Sequence, residues 1–188
     1  MNKFAPALPA LLACLLGLGA GANPAEAKRV FAGGSGGGIG AFNHQGQYGK
    51  TVGAGAFRRG QGGAGFVGGS YTGPNGGTFQ GGTGGAFKKG VGGFRHSQFQ
   101  GTGANGGSAN GYMNSKYNAQ TGQGSRESGV SATSAGGQNY GYDAQSTYTR
   151  GQGGQTTIDT QNKGDYTVDW QKGEKPVVTP VSQTNPSP

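Results

Sequence analysis

Apolar residues follow two unlike patterns along this chain. From Phe4 to Leu18 they run almost unbroken behind Lys3, in a stretch that holds all six leucines of the 188 residues. Beyond residue 27 they stand singly, as aromatics or small aliphatics set among Gly, Thr, Ser, Gln and Asn. The aromatics are periodic. Phe57 and Phe87 lie 30 residues apart in the matching segments Gly55-Ala56-Phe57-Arg58-Arg59-Gly60-Gln61-Gly62-Gly63 and Gly85-Ala86-Phe87-Lys88-Lys89-Gly90-Val91-Gly92-Gly93. Tyr117 follows 30 residues later, and Tyr148 31 after that. A second marker keeps the same register: Thr72-Gly73-Pro74-Asn75-Gly76-Gly77 becomes Thr102-Gly103-Ala104-Asn105-Gly106-Gly107 and decays to Ser134-Ala135-Gly136-Gly137. Two independent markers at one period define a repeat region over 42–163, with units 42–71, 72–101, 102–132 and 133–163.

Each unit carries two turn signals half a period apart, one of the Asn-Gly-Gly type and one basic-basic-Gly. Asn-Gly favours the left-handed conformation of tight hairpin turns, and Pro74 presets the position before it. A chain that turns about every 15 residues predicts an all-β architecture of stacked antiparallel hairpins, solenoid-like, with Phe57, Phe87, Tyr117 and Tyr148 as a ladder on one face. The competing architecture is a largely disordered Gly-rich coil with aromatic stickers. After the repeats, Gln155 to Gln171 reads as a β-hairpin around a three-residue loop, Asn162-Lys163-Gly164. That register opposes Ile158 to Val168, Thr160 to Tyr166 and Thr156 to Trp170, with Asp159 and Asp169 on the other face. Residues 28–41 read as a Gly-rich linker, and 174–188, with four prolines, as a disordered tail.

The leucine-rich front is a secretory signal peptide over residues 1–27, with Ala25-Glu26-Ala27 in the small-residue form that precedes a cleavage point. Cleavage after Ala20 or Ala22 is the neighbouring alternative. The apolar run is shorter than the roughly 20 residues that cross a bilayer, so no transmembrane segment remains after cleavage. Leu11-Leu12-Ala13-Cys14 resembles a bacterial lipobox, which would make Cys14 a lipidated N-terminus; against it, Leu15 and Leu16 continue the apolar run. The expected location is secreted, periplasmic or cell-surface. Cys14 is the one cysteine, so the chain beyond it has neither a disulfide framework nor a thiolate metal site.

Composition explains why the repeats matter. The 45 glycines, all but three beyond residue 27, add no apolar area and lose the most backbone entropy on ordering. Without leucine, the few Val and Ile and the scattered aromatics cannot assemble an ordinary enzyme core. Repetition and assembly must supply what a core lacks. Charge is equally uneven: residues 28–126 carry ten basic residues and no acid, and residues 127–188 carry four basic and six acidic. The basic half would be drawn to anionic polysaccharide, lipopolysaccharide, acidic lipid or nucleic acid, with Arg58, Arg59, Lys88, Lys89 and Arg95 as the contacts. Equally, the charges could serve only to keep a Gly/aromatic chain soluble.

Catalytic chemistry is sparse. His44 and His96 occupy different places in their repeats and have no carboxylate nearby in sequence to orient them, which reads as two isolated surface histidines. Gly34-Ser35-Gly36-Gly37-Gly38 lacks the Gly-Lys-Ser/Thr ending of a nucleotide loop. Asp159, Asp165 and Asp169 match no calcium loop. No catalytic residue, metal site or cofactor is expected, and the chain reads as a non-enzyme. Basic residues beside aromatics also suit single-stranded nucleic acid, but the leader and the lack of an RNA-binding motif disfavour that partner.

The leader, the Gly-Pro-Asn-Gly turn at 73–76 and the Gly/aromatic units together resemble small exported glycine-rich repeat proteins of Gram-negative bacteria, over roughly residues 28–173. A weaker resemblance is to curli-type functional amyloid subunits, whose Gln and Asn ladders recur about every 20-odd residues, whereas the repeated positions here are aromatic and basic. The resemblance implies an exported structural or matrix protein that self-associates through its aromatics. The other reading is a soluble cationic module that binds anionic polysaccharide or lipopolysaccharide at the cell surface.

Overall fold

The computed structural model describes residues 26–181. They form twelve strands: β1 (Glu26–Gly34), β2 (Gly37–Gln45), β3 (Gly49–Arg58), β4 (Gly62–Thr72), β5 (Thr78–Lys88), β6 (Gly92–Thr102), β7 (Ser108–Asn118), β8 (Gln123–Thr133), β9 (Asn139–Thr149), β10 (Gly153–Thr160), β11 (Asp165–Gln171) and β12 (Val177–Val181). All lie in one open sheet in sequence order, each antiparallel to the next. No helix occurs among the described residues. The all-β hairpin stack is therefore the architecture of the chain, and the disordered coil is not.

The two sequence markers are the two ends of this sheet. Basic-basic-Gly segments make the short turns, in which Gln61 N donates to Arg58 O (3.0 Å) and Val91 N to Lys88 O (3.1 Å). Gly60 and Gly90 hold φ of +73° and +74° at the third position, as a type II turn requires. The Asn-Gly-Gly segments make five-residue loops at the other end. Gly73 N donates to Gly77 O (2.7 Å) and Gly76 N to Gly73 O (3.0 Å), and the bonds recur at Gly103–Gly107 and Ser134–Gln138. Here the left-handed residue is the glycine after the asparagine, Gly76 at +85° and Gly106 at +88°, and neither Asn75 nor Asn105 has positive φ. The loops are thus longer than the tight Asn-Gly turn expected, and Pro74-Asn75 fills the middle of a type I turn. Successive short turns are also bonded to one another, Arg59 N to Gly36 O (3.0 Å), Lys89 N to Gln61 O (2.6 Å) and Ala119 N to Val91 O (2.9 Å), so the ladder continues through them.

Three local expectations need correction. Residues 28–41 are not a linker: they belong to β1 and β2, paired from Glu26↔Gln45 to Gly34↔Gly37. In the expected tail, Val177–Val181 forms β12 against β11, and residues 182–188 lie outside the described residues. The β10–β11 hairpin opposes Ile158 to Tyr166, Thr156 to Val168 and Gly154 to Trp170, a shift of two from the expected register. The loop becomes Gln161-Asn162-Lys163, closed where Thr160 Oγ1 donates to Gly164 O (2.6 Å). A shift of two keeps every side chain on its face, so Asp159 and Asp169 still lie opposite the apolar set. The leader, with Cys14, falls on residues 1–25, outside the described residues.

This is a sheet with almost no interior. Among the described apolar residues only Ala41 and Ala54 are buried, at 8% and 6% exposure. Stability rests on the backbone ladder and on cross-strand contacts within each face. Among the described residues no element covers either face.

Candidate functional site

Strand alternation and the pairing register place the four expected ladder residues in one row across one face. Read from β3 to β11, the row is Phe57, Gly63, Phe87, Gly93, Tyr117, Gly124, Tyr148, Gly154 and Trp170. Aromatic and glycine alternate strand by strand. Two strand spacings separate neighbouring aromatics by roughly 9.6 Å along the backbone, and the glycine between leaves room for a ring to lean across. The Tyr117 and Tyr148 ring centroids are 6.5 Å apart with planes 9° from parallel, and Tyr148 meets Trp170 at 6.4 Å and 36°. A side-chain carbon at Gly124 would fall among the ring atoms of Tyr148, and one at Gly154 would come within 2.8 Å of Trp170 Cζ2.

The same face carries more rings on the same plan. Phe79 stacks on Phe99 at 6.3 Å and 17° across β5 and β6; the Phe99 ring lies over Gly111, and that of Phe42 over Gly53. Sequence reasoning put Trp170 on the apolar face of the last hairpin but not in this row, and it missed the Phe79–Phe99 pair and the role of the facing glycines. One signal was available: Phe57, Phe87 and Tyr148 are each followed six residues later by the glycine that faces them, and Tyr117 seven later. Phe57 and Phe87 remain largely open to solvent, at 54% and 55%, whereas Tyr117, Tyr148 and Trp170 are half-buried.

The expected cations divide between the faces. Arg58 and Lys88 lie in one row of the face opposite the rings, separated by Gly62. Arg59 and Lys89 follow them in the short turns, and Arg150 and Lys172, which the sequence reading did not single out, take the equivalent turn positions further along. Arg95 does not join this edge. It sits on the aromatic face, where its Nε donates to Thr83 Oγ1 (3.0 Å).

Several other ionisable groups are tied into the sheet. Tyr112 Oη donates to Asp143 Oδ1 (2.9 Å) across Gly129, and that bond, with desolvation and the charges of Asp143 and Glu127, raises the phenol above its ordinary range. Asp169 accepts from Gln155 Nε2 (2.8 Å), and Asp165 accepts from Thr160 N (3.1 Å). His96 bonds Asn114 across β6 and β7, while His44 lies on the other face, facing Thr51. Comparison with protein-family models, with curated proteins and with solved structures finds no match to this chain.

Proposed function

We propose that this chain is an exported structural or matrix protein that self-associates through its aromatic face. The observation that carries this reading is the uncovered row of alternating aromatic and glycine across a one-layer sheet, with Phe57 and Phe87 more than half exposed. A sheet with one apolar face is stable when that face packs on a second layer. A face of twelve strands, each about ten residues long, spans about 53 Å by about 33 Å. That exceeds the roughly 800 Å² per partner typical of specific protein interfaces. The exposed rings of Phe57 and Phe87 offer a second copy apolar surface to cover. Alanine at Phe57, Phe87, Tyr117 and Tyr148 together is expected to shift the sedimenting species to the monomer. Unchanged assembly of a quadruple variant that retains its strand signal overturns the reading.

A second reading, a cationic module for anionic polysaccharide or lipopolysaccharide, is favoured by the basic edge. Arg58, Arg59, Lys88 and Lys89 repeat every second strand, a comb of about 10 Å spacing. Binding to such a polymer should weaken steeply between 50 and 200 mM salt (about fourfold in ionic strength) because the contacts are exposed and screened; binding indifferent to salt excludes it.

A further inference from the structure

We infer that the face opposite the rings holds a binding groove for an anionic long-chain amphiphile. The row on that face next to the short turns runs Ala32, Ile39, Ala56, Ala64, Ala86 and Phe94 from β1 to β6, and the following position, on β7, is Lys116. Phe66 flanks the row from the neighbouring one. These residues line an open concavity of about 1690 Å³ whose rim carries Arg58, Lys88 and Lys89. Its large apolar side chains are exposed, Ile39 at 40%, Phe66 at 44% and Phe94 at 57%.

Two features select the occupant. The apolar floor is long and narrow, about 24 Å from β1 to β6 at the ordinary strand spacing, and its alanines leave depth for a chain to lie across the strands. It ends on charge: Lys116 faces Phe94, and Lys88 lies one row out on β5. No acid occurs on β2 to β7, so these cations have no carboxylate on their own or intervening strands to neutralise them. A hydrocarbon tail running from β1 to β6 places its head beside Lys88 and Lys116. An anionic head is attracted there, whereas a bare polyanion leaves the floor wet. The floor row lies on the face opposite the aromatic row, although Phe57, Phe87 and Tyr117 also border the concavity; lipid binding is read without reference to self-association, so the two readings can fail separately.

The test is calorimetric titration of the purified chain with 1-myristoyl-lysophosphatidylglycerol below its micelle concentration, against the lysophosphatidylcholine of the same tail and against inorganic phosphate. The expected result is saturable binding of the anionic lipid, at least tenfold weaker binding of the zwitterionic one, and no competition by millimolar phosphate. Lys88→Gln with Lys116→Gln should weaken the anionic lipid about tenfold. Ala64→Glu, at an exposed floor position, should abolish binding while the circular dichroism stays that of the parent. Arg126→Gln, on the aromatic face, should change nothing. Equal affinity for the two lipids, full displacement by phosphate, or unaltered binding in a folded Ala64→Glu variant overturns the proposal.

Discussion

Tyr148 shows what a glycine contributes here beyond a turn. Its ring occupies the space over Gly124 that a side chain would fill, and from there it reaches Tyr117 on one side and Trp170 on the other. Gly124→Ala is therefore expected to displace the ring and lower stability by about 0.5 to 1.5 kcal/mol, the worth of the aromatic contacts it breaks. A urea midpoint, together with loss of near-ultraviolet tyrosine signal, checks it. Tyr112 poses a second question at this scale. Its phenol is raised by the hydrogen bond to Asp143, then by desolvation and by the charges of Asp143 and Glu127, so the folded chain holds that proton more tightly than the unfolded chain. Stability from this contact is complete below the unfolded value near 10 and is lost as pH rises through the higher folded value. Tyr112→Phe should remove that alkaline loss from a pH series of melting temperatures, and Tyr166→Phe should not.

Among elements, the repeat is a pair of strands and its two connections, and this explains both what could be read from the chain and what could not. The aromatic period was legible because one turn of each type and two strands of near-constant length return the chain to the same row every 30 residues. The interval of 31 before Tyr148 also has a place: residues 119–122 form a four-residue turn between Asn118 and Gln123, where its counterparts at 59–61 and 89–91 have three. Deleting Gln120 should leave strand content and assembly intact. Deleting Ser125, inside β8, should reverse the faces of part of that strand and reduce both, as circular dichroism and sedimentation would report. Trp170 was not read as part of the aromatic row because the last hairpin is shorter, which sets it 22 residues after Tyr148 and off the period. The register of that hairpin escaped for another reason. A pattern of period two cannot distinguish Ile158 facing Tyr166 from Ile158 facing Val168, and only the loop closure at Thr160 and Gly164 does so. The cationic edge was half legible, since Arg58 and Lys88 repeat in sequence, whereas Arg95 lies one residue out of phase with their face and so points the other way.

At the scale of the whole molecule, an open sheet of twelve strands has two edges, and the chain treats them differently. β1 is nine residues long and carries Lys28 and Arg29, side chains that oppose pairing with a like strand. β12 is five residues long and contains Pro180, which faces Tyr166 of β11. Proline has no N–H to give to a ladder, so within an antiparallel pair it occupies a position whose nitrogen turns away from the partner strand, toward the outer edge. The next strand that tried to add there would meet a missing donor at the fourth residue of a five-residue edge. If the chain self-associates as proposed, this arrangement would direct association to the broad face and away from endless edge-to-edge growth. Even strand number makes the block necessary: with twelve strands, β12 of one copy and β1 of a simply translated copy run antiparallel, so nothing in the topology itself stops a continuous sheet. Pro180→Val restores the donor and keeps a strand-forming residue. It is expected to convert limited assemblies into extended fibres that bind thioflavin and sediment at low speed, and Thr179→Val on the same strand is not. If Pro180→Val assembles to the same size as the parent chain, the edge is closed by some other feature and the role assigned to Pro180 is wrong.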